Sequence, residues 1–109
     1  MTTILDLMNK KQNNQTISMV TCYDAMMAKI IATTTMDAIL VGDSVAMVKH
    51  GHTSTVPATM SMMLHHVSAV ARAAPPQLIV ADLPFLSYRA NIQASIEYAA
   101  KLMQAGAHA

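Results

Sequence analysis

Residues 38–57 read AILVGDSVAMVKHGHTSTVP, and the chain changes character within them. The first four residues, AILV, form a short apolar run that predicts a strand buried on both faces. Gly42 then lets the backbone turn, so that Asp43 and Ser44 stand at the carboxyl end of this strand. Ligands of parallel α/β folds bind outside the carboxyl ends of the strands. Asp43 and Ser44 therefore indicate either a site for a metal or polar ligand, or residues that only cap the turn.

Strand and helix patterns alternate along the rest of the chain. Strands are predicted over residues 16–21, 38–41 and 77–81, and helices over residues 3–11, 25–33, 59–73 and 92–104. Such alternation is typical of a parallel sheet, and residues 107–109 indicate the approach to a fourth strand. No G-x-G-x-x-G motif follows the first strand, which weakens a dinucleotide-binding fold. The pattern leaves two architectures open, part of a (β/α) barrel or a small doubly wound sheet.

Acidic residues follow all three predicted strands. Asp24, after the first, is interpreted as the N-cap of the next helix. Asp82 directly follows the third strand and repeats the position of Asp43. A turn cap is the alternative for Asp82 as well, but two carboxylates at equivalent strand ends favour a site. Neighbouring parallel strands lie about 4.8 Å apart, so Asp43 and Asp82 can converge on one ion if their strands are adjacent.

Four histidines fall into two pairs that suggest metal binding at first sight. His50 and His52 lie in the polar loop after the second strand, where imidazoles are usually only solvated. His65 and His66 are neighbours on a predicted helix and must point to different faces. We therefore expect neither pair to bind a metal.

The composition restricts the class of protein and its partners. The 109 residues are 53% apolar and 12% charged, with a formal net charge of +1. These values suit a soluble globular core and argue against a disordered tail or a nucleic-acid-binding arm. The single cysteine, Cys22, excludes an intrachain disulfide framework and fits a reducing compartment. No run approaches the roughly 20 apolar residues of a membrane span, so we expect a cytoplasmic protein without nucleic-acid or membrane partners.

Several motifs together resemble the amino-terminal part of the ketopantoate hydroxymethyltransferase family. They are VTCYDAMMAKI, AILVGDSVAMVKHGHTSTVPATM, AVARAA, LIVADLPFLSY and KLMQAGAHA. The resemblance implies a (β/α)8 TIM barrel, a magnesium ion, and hydroxymethyl transfer from methylenetetrahydrofolate to 2-oxoisovalerate in pantothenate biosynthesis. The metal-binding aspartates of the family match Asp43 and Asp82, and its substrate contacts match Asp43, Ser44 and Asp82.

The resemblance also implies what this chain lacks. The family's catalytic base lies beyond Ala109, so no catalytic residue is expected within the chain. We therefore expect residues 1–109 to be a single incomplete barrel domain, the amino-terminal portion, with about three β-α units. A related magnesium-dependent 2-oxo acid enzyme of the phosphoenolpyruvate mutase and isocitrate lyase group is one alternative. A noncatalytic interaction module is another, and unpaired sheet edges predict a homo-oligomer in either case.

Overall fold

The computed structural model describes residues 1–109 as five helices and one sheet of three parallel strands, in the order β1-β2-β3. The elements are α1 (Ile4–Gln12), β1 (Met19–Thr21), α2 (Ala25–Ile31), β2 (Ala38–Val41), α3 (Val45–Val48), α4 (Met60–Arg72), β3 (Leu78–Ala81) and α5 (Ile92–Gln104). The α/β class and the parallel sheet are confirmed. A (β/α) barrel begins with the same succession of elements.

Side-chain caps fix where four of the helices begin. The side chains of Thr3, Asp24, Thr59 and Asn91 each accept a hydrogen bond from a backbone N–H of the first turn. Such a cap satisfies one of the N–H groups that a helix leaves without a partner. The N-cap predicted for Asp24 is confirmed, and β2 and α5 have the predicted bounds.

Two parts of the fold differ most from the predictions, and the bounds of the remaining elements agree within two residues. β1 begins only at Met19, because the preceding Ser18 donates its backbone N–H to the carboxylate of Asp37, at 2.9 Å, rather than to a neighbouring strand. The short helix α3 was not predicted, because its four residues show no helical spacing. Val45 and Ala46 of α3 are fully buried, and that burial stabilises the turn immediately after β2.

The core lies between the sheet and the helices α2, α4 and α5. Met63, Val67 and Val70 form the buried face of α4, as its helical spacing predicts, and they belong to the same apolar cluster as Ile39 of β2. Fully burying a side chain of this size contributes about 1.5–3 kcal/mol, so α4 anchors the sheet. None of the five helices has the length and hydropathy that a membrane span requires.

The last residues of the chain run beside β3. The backbone N–H of His108 donates to the carbonyl of Ile79 at 2.8 Å, and Ala81 donates to the carbonyl of Ala109 at 3.0 Å. Gly106 precedes this segment with a φ of 118°, a left-handed conformation that favours glycine. The predicted approach to a further strand at residues 107–109 agrees with these contacts.

Candidate active site at the carboxyl edge of the sheet

The polar residues that follow the three strands meet at one edge of the sheet. Tyr23 comes soon after β1, Asp43 and Ser44 after β2, and Asp82 directly after β3. Because the strands are parallel and adjacent, their carboxyl ends point the same way. We call this set of four residues the carboxyl-edge cluster.

Asp43 and Asp82 are in direct contact. The backbone N–H of Asp43 donates to Oδ2 of Asp82 at 3.0 Å. The register explains this contact, since Val41 pairs with Ala81 and the next residues therefore leave their strands side by side. Asp82 thus bonds across to the neighbouring strand end rather than capping its own turn. The expected adjacency of the two strands is confirmed.

Gly42 allows this close approach. A Cβ atom at Gly42 would lie 3.2 Å from Oδ2 of Asp82 and 3.2 Å from Oγ of Ser44. Both distances are tighter than ordinary van der Waals contacts, so a side chain at this position would press on two members of the cluster. The absence of a side chain at Gly42 therefore lets the backbone after β2 approach the carboxylate of Asp82 closely.

Tyr23 is a member of the cluster that the sequence analysis did not identify. Its hydroxyl lies 2.6 Å from Oγ of Ser44, and its side chain is buried. Ser44 precedes α3 but makes no side-chain cap, so its hydroxyl is directed to Tyr23 instead. The position of Tyr23 just after a strand was the available signal, but the partner of its hydroxyl depends on the tertiary structure.

The charges of Asp43 and Asp82 have no cationic partner in the structure. The two ion pairs present join Lys10 to Asp37 and Lys49 to Asp24, and neither includes Asp43 or Asp82. Asp43 and Asp82 are half-buried at adjacent strand ends, and both carboxylates are free of a protein counter-ion and so available to a bound cation.

The donor set at this edge suits a hard divalent cation. Magnesium prefers carboxylate oxygens and usually keeps several water ligands, so two carboxylates form a partial site. No group of three or more His, Cys, Asp or Glu residues in the structure is arranged to hold a metal. Any further ligands must therefore come from water, from a substrate, or from another part of a protein.

Asp24 and Cys22, which flank Tyr23, have structural roles. The backbone N–H of Met27, with help from Lys49, holds the pKa of Asp24 below its usual range, as expected of an ionised N-cap. Burial raises the pKa of the Cys22 thiol, so this cysteine stays protonated and is a poor nucleophile. This agrees with interpreting Cys22 as a small buried apolar residue.

The histidines pair differently from their spacing in the sequence. Nε2 of His50 lies 3.1 Å from Nε2 of His66, although sixteen positions separate them. Nδ1 of His66 donates to the backbone carbonyl of Tyr23 at 2.6 Å. The sequence analysis had paired His50 with His52 and His66 with His65. Both His52 and His65 are exposed and make no side-chain hydrogen bond.

Comparison with known proteins gives a consistent result. The family model described as ketopantoate hydroxymethyltransferase matches residues 1–109. The protein of Bdellovibrio bacteriovorus named 3-methyl-2-oxobutanoate hydroxymethyltransferase is 50% identical to this chain. The alignment covers 100% of this chain and 41% of the relative. Proteins of the same name from Coxiella burnetii and Saccharolobus solfataricus are also 50% identical. Their alignments cover 95% and 98% of this chain, and 39% and 40% of the respective relative. The chain thus spans about two fifths of the length of these curated relatives.

Proposed function

The chain belongs to the ketopantoate hydroxymethyltransferase family, and on that basis we propose that it provides the metal-binding and 2-oxo-acid-binding part of such an enzyme. The reaction is hydroxymethyl transfer from methylenetetrahydrofolate to 2-oxoisovalerate, giving ketopantoate for pantothenate biosynthesis. The observation that carries this proposal is the contact between Asp43 and Asp82 at adjacent strand ends, with no cation of the protein paired to either carboxylate.

Each member of the carboxyl-edge cluster has a defined role in this proposal. Asp43 and Asp82 would hold Mg²⁺ through their carboxylates, and the oxygens of a 2-oxo acid and of water would offer further hard ligands. When bound, the metal supplies Lewis-acid stabilisation of the negative charge that develops on the oxo oxygen. Ser44 orients the substrate carboxylate through its hydroxyl or backbone N–H. Tyr23 fixes the rotamer of Ser44 through their 2.6 Å hydrogen bond.

The reaction also needs a base that removes a proton from the carbon beside the oxo group. We assign this role to no residue of the chain, because the cluster offers only the two proposed metal ligands and two hydroxyl groups. The chain therefore supplies binding and orientation. We propose that residues 1–109 are a single incomplete barrel domain, the amino-terminal portion of a (β/α)8 barrel.

Location and association follow from the same proposal. A small-molecule 2-oxo acid and a folate as partners fit a cytoplasmic enzyme, and the unpaired buried Cys22 fits a reducing compartment. Large apolar side chains are exposed on several elements, for example Leu5 of α1, Met26 of α2 and Ile92 of α5. We propose that such surface is covered in a homo-oligomer, for which sedimentation of the chain at high concentration should show more than a monomer.

A chimeric enzyme tests the proposed function. The chain is fused to the carboxyl-terminal part of the Bdellovibrio bacteriovorus relative, of which it matches 41%. We expect magnesium-dependent formation of ketopantoate from 2-oxoisovalerate and methylenetetrahydrofolate, with the intact relative as the positive control. A chimera that is folded by circular dichroism but forms no ketopantoate would contradict the proposal.

A further inference from the structure

We propose that His50 and His66 form a binding site for a borderline divalent metal such as Zn²⁺, Ni²⁺ or Cu²⁺, with ligands that do not belong to the carboxyl-edge cluster. Their Nε2 atoms lie 3.1 Å apart. Two imidazole nitrogens bound to one Zn²⁺ at 2.0–2.1 Å, in tetrahedral to right-angled geometry, are separated by about 2.9–3.4 Å. The nitrogens therefore already have the spacing of two ligands of one ion.

The hydrogen bonds of His66 prepare its ring for metal binding. Nδ1 of His66 must carry a proton, because it lies 2.6 Å from the carbonyl oxygen of Tyr23, which can only accept. In the neutral ring Nε2 of His66 then carries the lone pair, and that lone pair faces His50. A backbone carbonyl that fixes the tautomer and orientation in this way is the usual outer partner of a metal-ligating histidine.

The ring of His50 can adapt at low cost. In the absence of metal its Nε2–H donates to Nε2 of His66, and the two rings are nearly perpendicular, at 88°. His50 is exposed and its Nδ1 has no protein partner, so the proton can move to Nδ1 through solvent and leave Nε2 free as a ligand. Metal binding then replaces one hydrogen bond between the two rings.

The backbone holds both histidines in place. His66 lies within α4, the helix that packs on the sheet. His50 follows α3, where Gly51 adopts a φ of 74° and the N–H of His52 donates to the carbonyl of Ala46 at 3.0 Å. The loop that carries His50 is therefore tied back to Ala46, a fully buried residue of α3, which reduces the conformational entropy lost on binding a metal.

The surrounding charges allow a cation. Lys49 precedes His50, but its ammonium group is paired with Asp24 at 3.2 Å, which offsets its positive charge. No third His, Cys, Asp or Glu completes the site, so water or an exogenous ligand would take the remaining positions. Imidazole ligands select Zn²⁺, Ni²⁺ and Cu²⁺ over Mg²⁺, so this site and the carboxyl-edge cluster prefer different ions.

Calorimetric titration of the chain with ZnCl₂ and CuCl₂ tests this site, which does not depend on the proposed enzymatic function. We expect saturable binding of one ion per chain, tighter for Cu²⁺ than for Zn²⁺ and unaffected by excess Mg²⁺. His50→Gln and His66→Gln should each weaken binding at least about tenfold. His52→Gln and His65→Gln are matched controls that should leave the affinity within about twofold.

The outcomes separate a shared site from scattered surface binding. Absence of saturable Zn²⁺ or Cu²⁺ binding would overturn the proposal, as would an equal loss of affinity in His52→Gln or His65→Gln. If His66→Gln fails to fold by circular dichroism, the exposed His50→Gln decides the question alone. Nitrogen NMR of the imidazoles measures the positions of the ring protons directly. When Zn²⁺ binds, we expect His66 to keep its proton on Nδ1 and the proton of His50 to move from Nε2 to Nδ1.

Discussion

Asp37 precedes β2 and Asp43 follows it, so these two carboxylates lie at opposite edges of one sheet. At the amino edge, Asp37 accepts hydrogen bonds from Nζ of Lys10 at 2.5 Å and from the backbone N–H and hydroxyl of Ser18 at 2.9 and 3.0 Å. At the carboxyl edge, Asp43 has neither a cation nor a side-chain hydrogen bond, and its neighbour Asp82 accepts from one backbone N–H.

The difference shows how two carboxylates on one strand serve different purposes. Lys10, followed by the N–H of Ser18, holds the pKa of Asp37 below its usual range and fastens α1 to the sheet. A carboxylate whose partners are supplied by its own chain stabilises the fold. A carboxylate pair without such partners remains available to a ligand, as expected for the carboxyl face of parallel barrels, where the active sites lie.

The largest effect is expected for the aspartates of the carboxyl edge. In the chimeric enzyme, Asp43→Asn or Asp82→Asn should lower kcat/KM at least about 100-fold, because each would remove one of the two proposed charged ligands of Mg²⁺. His52→Ala, in the loop after α3, is the matched control and should be milder. Near-normal turnover in both aspartate variants, with folding confirmed by circular dichroism, would refute the metal-site assignment.

Substitutions at Gly106 and Gly42 should separate an effect on stability from an effect on activity. Gly106 is left-handed, and a Cβ atom there would lie 2.3 Å from Cβ of Ala71, so Gly106→Ala should lower the free energy of unfolding by about 2–4 kcal/mol. Gly42→Ala, which presses on Asp82 and Ser44, should instead reduce activity of the chimera more than stability. Urea unfolding and turnover are measured for both variants. Equal losses of stability in Gly42→Ala and Gly106→Ala would contradict this prediction.

Removing the charge of Asp37 should cost stability rather than activity. Asp37→Asn should lower the free energy of unfolding by about 1–3 kcal/mol, because it breaks a partly buried ion pair and the hydrogen bonds from Ser18. Since folding lowers the pKa of Asp37, its contribution is complete above the pKa of the unfolded chain, near 3.8, and declines as the pH falls through the lower folded value.

Urea unfolding as a function of pH measures this contribution. The wild-type chain should lose stability below about pH 4 more steeply than Asp37→Asn does. Asp24→Asn is the control, because the ion pair of Asp24 with Lys49 is exposed and asparagine also caps helices. This substitution should change the free energy of unfolding by only a few tenths of a kcal/mol. The same pH slope in wild type and Asp37→Asn would rule out this role.

The smallest effect is expected where α4 ends. Ala74 is exposed and adopts a φ of 49°, a conformation that costs a residue with a Cβ atom more than it costs glycine. Ala74→Gly should therefore raise the free energy of unfolding by about 0.5–1 kcal/mol, offset in part by a more flexible unfolded chain. Ala73→Gly, at a right-handed φ of −73°, is the control and should give no gain. Equal effects at both positions would contradict this account.

Local signals in the sequence predicted much of this fold. β2 and α5 were placed correctly because an apolar run in one case and an Asn N-cap with helical spacing in the other are complete within a few residues. α3 was missed because its stability comes from the burial of Val45 and Ala46 in the tertiary structure. The strand of residues 16–21 was predicted too long because the partner of Ser18 is the side chain of Asp37, which belongs to a different element.

The candidate site was predictable only in part. Asp43, Ser44 and Asp82 were singled out because they stand at the carboxyl ends of apolar runs, and the sheet order then placed them together. The contact of Tyr23 with Ser44 and that of His50 with His66 join distant parts of the chain. Neither spacing nor residue type indicates such pairs, since they depend on the path of loops between elements.

Paramagnetic broadening by Mn²⁺, an oxygen-preferring stand-in for Mg²⁺, tests most directly whether the carboxyl edge binds a cation and the amino edge does not. The proton–nitrogen spectrum of the chain is recorded during a Mn²⁺ titration, with His50→Gln as background to remove the histidine pair. We predict that the backbone amides of Asp43, Ser44 and Asp82 broaden first, while those of Ser18 and Asp37 stay sharp. Broadening that begins at Ser18 and Asp37, or no selective broadening at millimolar Mn²⁺, would contradict the account.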